Sequence, residues 1–292
     1  MSENQRNINK IGWYYTALIV LLIGISILGA LFNKYISYSG MLIVNKIAFV
    51  IPITIYAVKN KDQGKVHEIK PVNIITSIAI AFLSAPAAIL FNLISQILTV
   101  NKVSETADTL IADNILIIIL TVCILSPILE EIFFREILYR RLKEYSPTIK
   151  ALITSALCFG LYHMNFNQFC YAFLMGIIFA LMREASGSVI SPIIAHITLN
   201  TANLCLLLKK SDIATVSSGM DGDLSIMIAI TLIIALVCAP MLYANFIYMA
   251  KTENRLADFK DMLRDKAADE RVLFNIPIMT GILICIAIMM FL

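Results

Sequence analysis

An all-α fold, a polytopic membrane helical bundle of eight or nine transmembrane helices, is what the sequence predicts, and three observations carry that prediction. Hydrophobic residues fill 59% of the 292 positions against 15% charged, and the mean hydropathy is +0.83, well above the roughly half-apolar composition of soluble domains. Apolar runs of about 20 residues, the length that crosses a hydrocarbon core, recur along the whole chain. The basic residues gather on one side of those runs.

In order, the runs cover roughly residues 12–32, 41–58, 72–100, 115–142, 148–164, 168–183, 189–208, 224–250 and 273–292. The first follows a polar stretch, Met1 to Lys10, and lacks a short core with a small-residue cleavage pattern, so it is expected to stay as a helix. The third exceeds one perpendicular span and contains Pro86, a place to tilt, kink or break. The last either crosses the membrane or packs along it. Ser146-Pro147 and Ser191-Pro192 read as helix starts. Between spans, Leu256, Phe259, Met262 and Leu263 recur at helical spacing within 251–271, which fits an amphipathic helix at the membrane interface or an ordinary charged connector. All six cysteines fall in apolar runs without a Cys-x-x-Cys pair, and read as small buried hydrophobes rather than disulfides or metal ligands.

With the N-terminus placed in the cytoplasm, the inner segments carry eighteen Lys and Arg and the outer loops four, with Lys46 left inside a span. That asymmetry follows the positive-inside pattern and sets the expected orientation. Basic residues spread along one membrane face exclude nucleic acid as a partner; the bilayer itself is the expected one.

Two adjacent carboxylates, Glu130 and Glu131, abut the apolar run 115–129, and Arg135 follows one turn later. Ionisable groups at membrane depth cost a few kcal/mol each and mark functional sites by default. Glu131 and Arg135, four apart with the acid first, share a helix face as an ion pair, while Glu130 points about 100° away towards another helix. The alternative is that both glutamates pair with cations and only lock helices together. Two of the three histidines, His163 and His196, lie in or beside later apolar runs. His196 and Asn200, four apart, can present two N–H groups to one oxygen, as oxyanion stabilisation requires. A glutamate, a second histidine and water complete the parts for hydrolysing an amide without a covalent intermediate. A proton-coupled transporter is the rival class, since buried Glu and His also form relays. It calls for matched broken helices in both halves, and the polar cluster is confined to the middle of the chain.

Glu130-Glu131-Ile-Phe-Phe-Arg135, Phe159-Gly-Leu-Tyr-His163 and His196-Ile-Thr-Leu-Asn200, in that order, resemble the EExxxR, FxxxH and HxxxN motifs of the CPBP (Abi) family of CAAX proteases and bacteriocin-processing enzymes. The resemblance implies a four-helix catalytic core within 111–208, with N-terminal transmembrane helices in 1–110 and C-terminal ones in 209–292. It implies an intramembrane endopeptidase, in a bacterial cell membrane, acting on a membrane-associated peptide or protein. Glu130 and His163 would activate water, His196 and Asn200 would bind the oxyanion, and Glu131, Arg135 and Phe159 would support the site. The family also includes members linked to bacteriocin immunity, which leaves a scaffold or immunity role beside proteolysis. Glu130, His163 and His196 would suit zinc as a ligand set, but the single-helix His-Glu-x-x-His signature is missing. The expectation is no metal and no cofactor.

Overall fold

The computed structural model describes residues 3–32, 34–60, 67–99, 114–213, 224–262 and 275–291. They form ten helices and no strand: α1 (Glu3–Leu31), α2 (Tyr38–Lys59), α3 (Pro71–Leu98), α4 (Ile115–Lys143), α5 (Thr148–Leu161), α6 (Phe166–Ser186), α7 (Ile190–Ile213), α8 (Leu224–Thr252), α9 (Leu256–Asp261) and α10 (Ile276–Phe291). The protein is an integral membrane bundle. Seven helices (α1–α4 and α6–α8) are long and apolar enough to cross a bilayer. The two other predicted spans are shorter than expected. Helix α5 has 14 residues and α10 has 16, about 21 and 24 Å at 1.5 Å per residue, less than the roughly 30 Å of a hydrocarbon core.

Helix α3 packs against α6, α7 and α8 on one side and exposes Ile75, Phe82 and Ile97 on another. Pro86 neither breaks nor ends it. Small polar side chains stitch it to its neighbours, an interhelical use of Ser and Asn suited to lipid surroundings. Ser77 Oγ lies 2.8 Å from Ser191 Oγ of α7, Asn167 of α6 donates to Ser95 Oγ at 3.1 Å, and Asn73 donates to Thr252 Oγ1 of α8 at 2.9 Å. Outward, α8 shows lipid-facing apolar side chains such as Ile230, Ile233, Leu236 and Val237, all more than half exposed.

Helix α2 is interrupted at Lys46, between the segments Tyr38–Asn45 and Ile47–Lys59. Helix α4 is broken up differently: π-helical stretches, Ile119–Leu125 and Ile132–Tyr139, flank the α-helical turn Ser126–Glu131. π segments are rare and concentrate at functional sites. The turn between α5 and α6 places Met164 at φ 51 directly after His163, a left-handed conformation that costs a non-glycine residue about 1–2 kcal/mol. At the other end of α6, Gly187 at φ 70 closes the helix against the Arg255 side chain.

Two loose ends differ from expectation. Among the described residues of 251–271, 251–252 continue α8 and α9 is a separate helix whose Phe259 is buried; residues 263–271, with Leu263, lie outside the described residues. Of the cysteines, Cys123, Cys158 and Cys285 are buried, but Cys205 is exposed and Cys170 and Cys238 are partly so.

Close helix approach is bought with small residues. A Cβ on Gly176 of α6 would lie 2.9 Å from Ala156 Cα of α5, whereas one on Gly24 of α1 would meet nothing within 4 Å. Gly176→Val should therefore destabilise the protein by about 1–3 kcal/mol, the usual cost of overpacking. Its thermal midpoint in detergent should fall while that of Gly24→Val holds; equal midpoints would refute the tight α5–α6 contact.

Candidate active site

Helices α4, α5, α6 and α7 converge on one buried guanidinium. Arg135 is 0% exposed, as is its partner Glu131. Its Nε lies 3.0 Å from Glu131 Oε2, but the two are not aligned as a hydrogen bond and none of the guanidinium nitrogens has a hydrogen-bond partner among the described residues. The contact is electrostatic. Aromatic faces supply the rest: Arg135 Cζ stands 4.4 Å from the Phe159 ring centroid and 5.5 Å from that of Phe179, the stacked arrangement that guanidinium favours.

Glu131 uses its other oxygen to hold His196, with Oε1 3.0 Å from Nδ1. Phe179 stacks on the same imidazole at 4.9 Å. An ionised carboxylate only accepts hydrogen bonds, so this contact puts a proton on Nδ1 and turns Nε2 away from it. Nε2 lies 3.8 Å from Glu130 Oε2. Glu130 therefore faces across to α7 as the helix geometry predicts, and it keeps 5% exposure where Glu131 has none. The adjacent acids have different surroundings.

His163 comes from the end of α5. Its Nδ1 pairs with the Phe159 carbonyl at 3.0 Å, which leaves Nε2 free to point elsewhere. Phe159 meets both histidines edge-on, at 5.5 and 5.8 Å between centroids. His163 sits within electrostatic range of Glu130 and of His196 without a direct bond to either. Asn200, four residues after His196, is bound elsewhere: its Nδ2 donates to the Val122 carbonyl at 3.0 Å. The reason lies in α4. In the first π stretch the Ser126 N–H bonds Thr121, not Val122, and the next candidate donor is Pro127, which has no N–H. Asn200 satisfies the carbonyl left over, the way neighbouring helices repair broken backbone in a membrane. One amide N–H is so occupied and the second is left over.

Sequence reasoning missed three members of this site. Tyr162 and Lys46 both interact with Glu130, and Phe179 touches Arg135 and His196. For Lys46 a signal existed, since it is the one basic residue that the charge asymmetry stranded inside a span. For Phe179 there was none, because an aromatic in an apolar helix looks like any packing residue. As for a metal, no group of three or more His, Cys, Asp and Glu among the described residues is placed to hold one.

Residues 112–202 match the family model for type II CAAX prenyl endopeptidase Rce1-like proteins. The curated "Putative membrane peptidase YdiL" of Bacillus subtilis (strain 168) is 33% identical to this chain over 85 residues, 29% of the chain and 35% of that protein. The chain thus spans about a third of the length of this relative. No solved structure matches.

Removing one member of a buried ion pair strands the other, at a cost of about 3–5 kcal/mol. Arg135→Gln should therefore unfold far more easily than the wild type, and Glu131→Gln introduced beside it should restore part of the loss. Thermal unfolding of the two single variants and the double variant closes the cycle. Simple additivity would show that the two groups do not stabilise each other.

Proposed function

We propose that the protein is an intramembrane endopeptidase that cleaves a peptide bond of a membrane-associated peptide or protein with activated water, a reading supported by the match of residues 112–202 to the Rce1-like endopeptidase model. The observation that carries the reading is the meeting of Glu130, Glu131 and His196, from two helices, around a sealed arginine, with His163 beside them. Structural ion pairs need no exposed member. Here the cluster divides into a sealed half, Glu131 and Arg135, and a half that keeps accessible surface: Glu130, His163, His196 and Asn200.

Glu130 takes a proton from water while His163 orients it, and the hydroxide attacks the scissile carbonyl carbon. The carbonyl π electrons move to oxygen, giving a tetrahedral oxyanion. His196 Nε2 and the second amide N–H of Asn200 donate to that oxygen. Since Nδ1 of His196 is committed to Glu131, Nε2 donates only when the ring carries both protons. As the C–N bond breaks, the proton held by Glu130 passes to the leaving nitrogen, and carboxylate and water-binding site are restored. Glu131 and Arg135 hold His196 in place without touching the substrate. No step runs through a metal.

Glu130→Gln preserves size and hydrogen bonding but cannot accept the proton. It should lower kcat about 10²-fold or more, the usual scale for a general base, with an unchanged thermal midpoint and no stoichiometric zinc in the active wild type. Near-normal turnover, or zinc whose removal abolishes activity and whose return restores it, would overturn the mechanism.

Asn200 distinguishes chemistry from architecture. Loss of an oxyanion donor typically lowers kcat by about 10²–10³-fold with little change in KM, whereas an interhelical hydrogen bond in a membrane is worth about 0.6 kcal/mol and rarely above 2. Asn200→Ala should show the large kcat defect together with a small stability loss from the freed Val122 carbonyl. A stability loss alone, with normal kcat, would confine Asn200 to repairing α4.

A further inference from the structure

Away from the active site, a groove of about 570 Å³ opens between α1 and α2. Its chemistry changes along its length. At one end stand Lys10 of α1, Lys59 of α2 and Arg141 of α4, together with the amides of Asn7 and Asn60. Towards the other end the walls are Ala17 and Leu21 on α1 and Ile51, Pro52 and Ile55 on α2. Between them lie Trp13, Tyr14, Tyr56 and Tyr145, with Tyr14 and Tyr56 packed edge to face at 5.8 Å. None of the lining residues is a carboxylate. Glu144 reaches Arg141 from outside the groove, with its oxygens 2.9 and 2.7 Å from Nη1.

We propose that this groove binds an anionic phospholipid, with the phosphate among Lys10, Lys59 and Arg141 and one acyl chain along the apolar wall. Three arguments fix the occupant. First, Lys10 and Lys59, from two different helices, line the groove with no acid on the same surface, and Arg141, which Glu144 holds at 2.7 Å, stands at the same end, so an anion completes the charge balance of the two lysines. Basic pockets between transmembrane helices hold anionic head groups on that principle. Second, the groove runs from charge into hydrocarbon: Lys10 to Leu21 covers eleven residue steps of α1, about 16 Å along the axis, room for a head group at one end and the upper part of an acyl chain at the other. Third, the aromatic residues sit between charge and hydrocarbon, the level that Trp and Tyr occupy at a membrane interface. A soluble anion would explain the cations and leave the apolar wall and the aromatic belt unexplained. The charged cavity at the same end of the bundle differs, because Glu68, Glu144, Glu184 and Glu253 line it and its Lys143, Arg183 and Arg255 are paired with Glu184 and Glu136.

The chain contains one tryptophan, Trp13, and it lines the groove with 55% of its surface exposed. It is a built-in reporter. The full-length protein is reconstituted into phosphatidylcholine vesicles containing a minor fraction of phosphatidylglycerol, with bromine on the acyl chains of either the phosphatidylglycerol or an equal fraction of the phosphatidylcholine. Brominated phosphatidylglycerol should quench Trp13 more strongly than the matched brominated phosphatidylcholine. Lys59→Gln should weaken that preference about fivefold, as expected for one interfacial cation, while Lys59→Arg should keep it. Lys251→Gln, which removes a charge from the last turn of α8 outside the groove, should also keep it. Equal quenching by the two lipids in the wild type overturns the proposal, and so does a preference that survives Lys59→Gln combined with Lys10→Gln. Reversal of the preference by soluble glycerol 3-phosphate would assign the cations to a free phosphate and likewise overturn the lipid. The measurement needs no catalytic turnover, so its outcome is independent of the peptidase reading.

Discussion

The fully buried Arg135 guanidinium is the constraint from which the rest of the core follows. A charge taken out of water costs several kcal/mol even after relaxation, and here no hydrogen bond to a neutral group offsets it. What remains is the two carboxylates of α4, Glu131 in contact and Glu130 at longer range, and two aromatic faces, Phe159 of α5 and Phe179 of α6, so that three helices contribute. The fourth helix, α7, is tied in at one remove, through His196 on Glu131 and Phe179. A lysine could not replace this arginine, because a compact ammonium lacks the flat surface that stacks between two rings. Moving any of the four helices would expose or unpair the guanidinium, so the cluster also fixes where the two histidines stand.

Helix α4 reaches this arrangement through an irregular backbone. The widened stretches on either side of Ser126–Glu131 replace regular i→i+4 bonds with i→i+5 ones, and each carries a carbonyl that accepts from a side chain of a different helix. Asn200 of α7 takes the Val122 carbonyl and Ser155 of α5 takes the Phe134 carbonyl, at 3.0 and 2.7 Å. Those two bonds bracket the glutamates along the chain. They fix the turn carrying Glu130 and Glu131 to α5 and α7, the helices that bring His163 and His196. Backbone satisfaction and site geometry are thus the same set of contacts.

How much of this was legible in the sequence depends on the kind of force involved. Burial by lipid is written in composition, so the all-helical membrane bundle and the existence of each apolar segment could be read directly. Pairings within one helix could be read as well, since the Glu131–Arg135 contact follows from a four-residue spacing. Lengths were less legible: α5 is apolar over its whole predicted run, yet the chain turns at Tyr162, and only the left-handed Met164 shows why it stops there. Contacts between helices were invisible, because nothing local says that Asn200 meets Val122 or that Phe179 covers Arg135. The π stretches were hidden for the same reason. Pro127 signalled an irregularity, and its position five residues after Val122 becomes meaningful only once Asn200 is seen to supply the missing donor.

Lys46 extends the argument beyond the four-helix core. It sits where α2 is interrupted, its own backbone N–H closing the first segment on Ile43 and Val44, and its ammonium interacts with Glu130. Within the core Arg135 interacts with both carboxylates, Glu131 at 3.0 Å, and Lys46 of an N-terminal helix adds a second cation to the surroundings of Glu130. The carboxylate assigned to proton transfer therefore takes part of its electrostatic setting from α2, whose opposite face lines the cationic groove. Opposite charges attract more strongly where water is excluded, so a shift of α2 that moved Lys46 would act on Glu130 directly and reach the Glu131–Arg135 pair only through it. The N-terminal helices are in that sense part of the site, and the break at Lys46 is the joint through which they act.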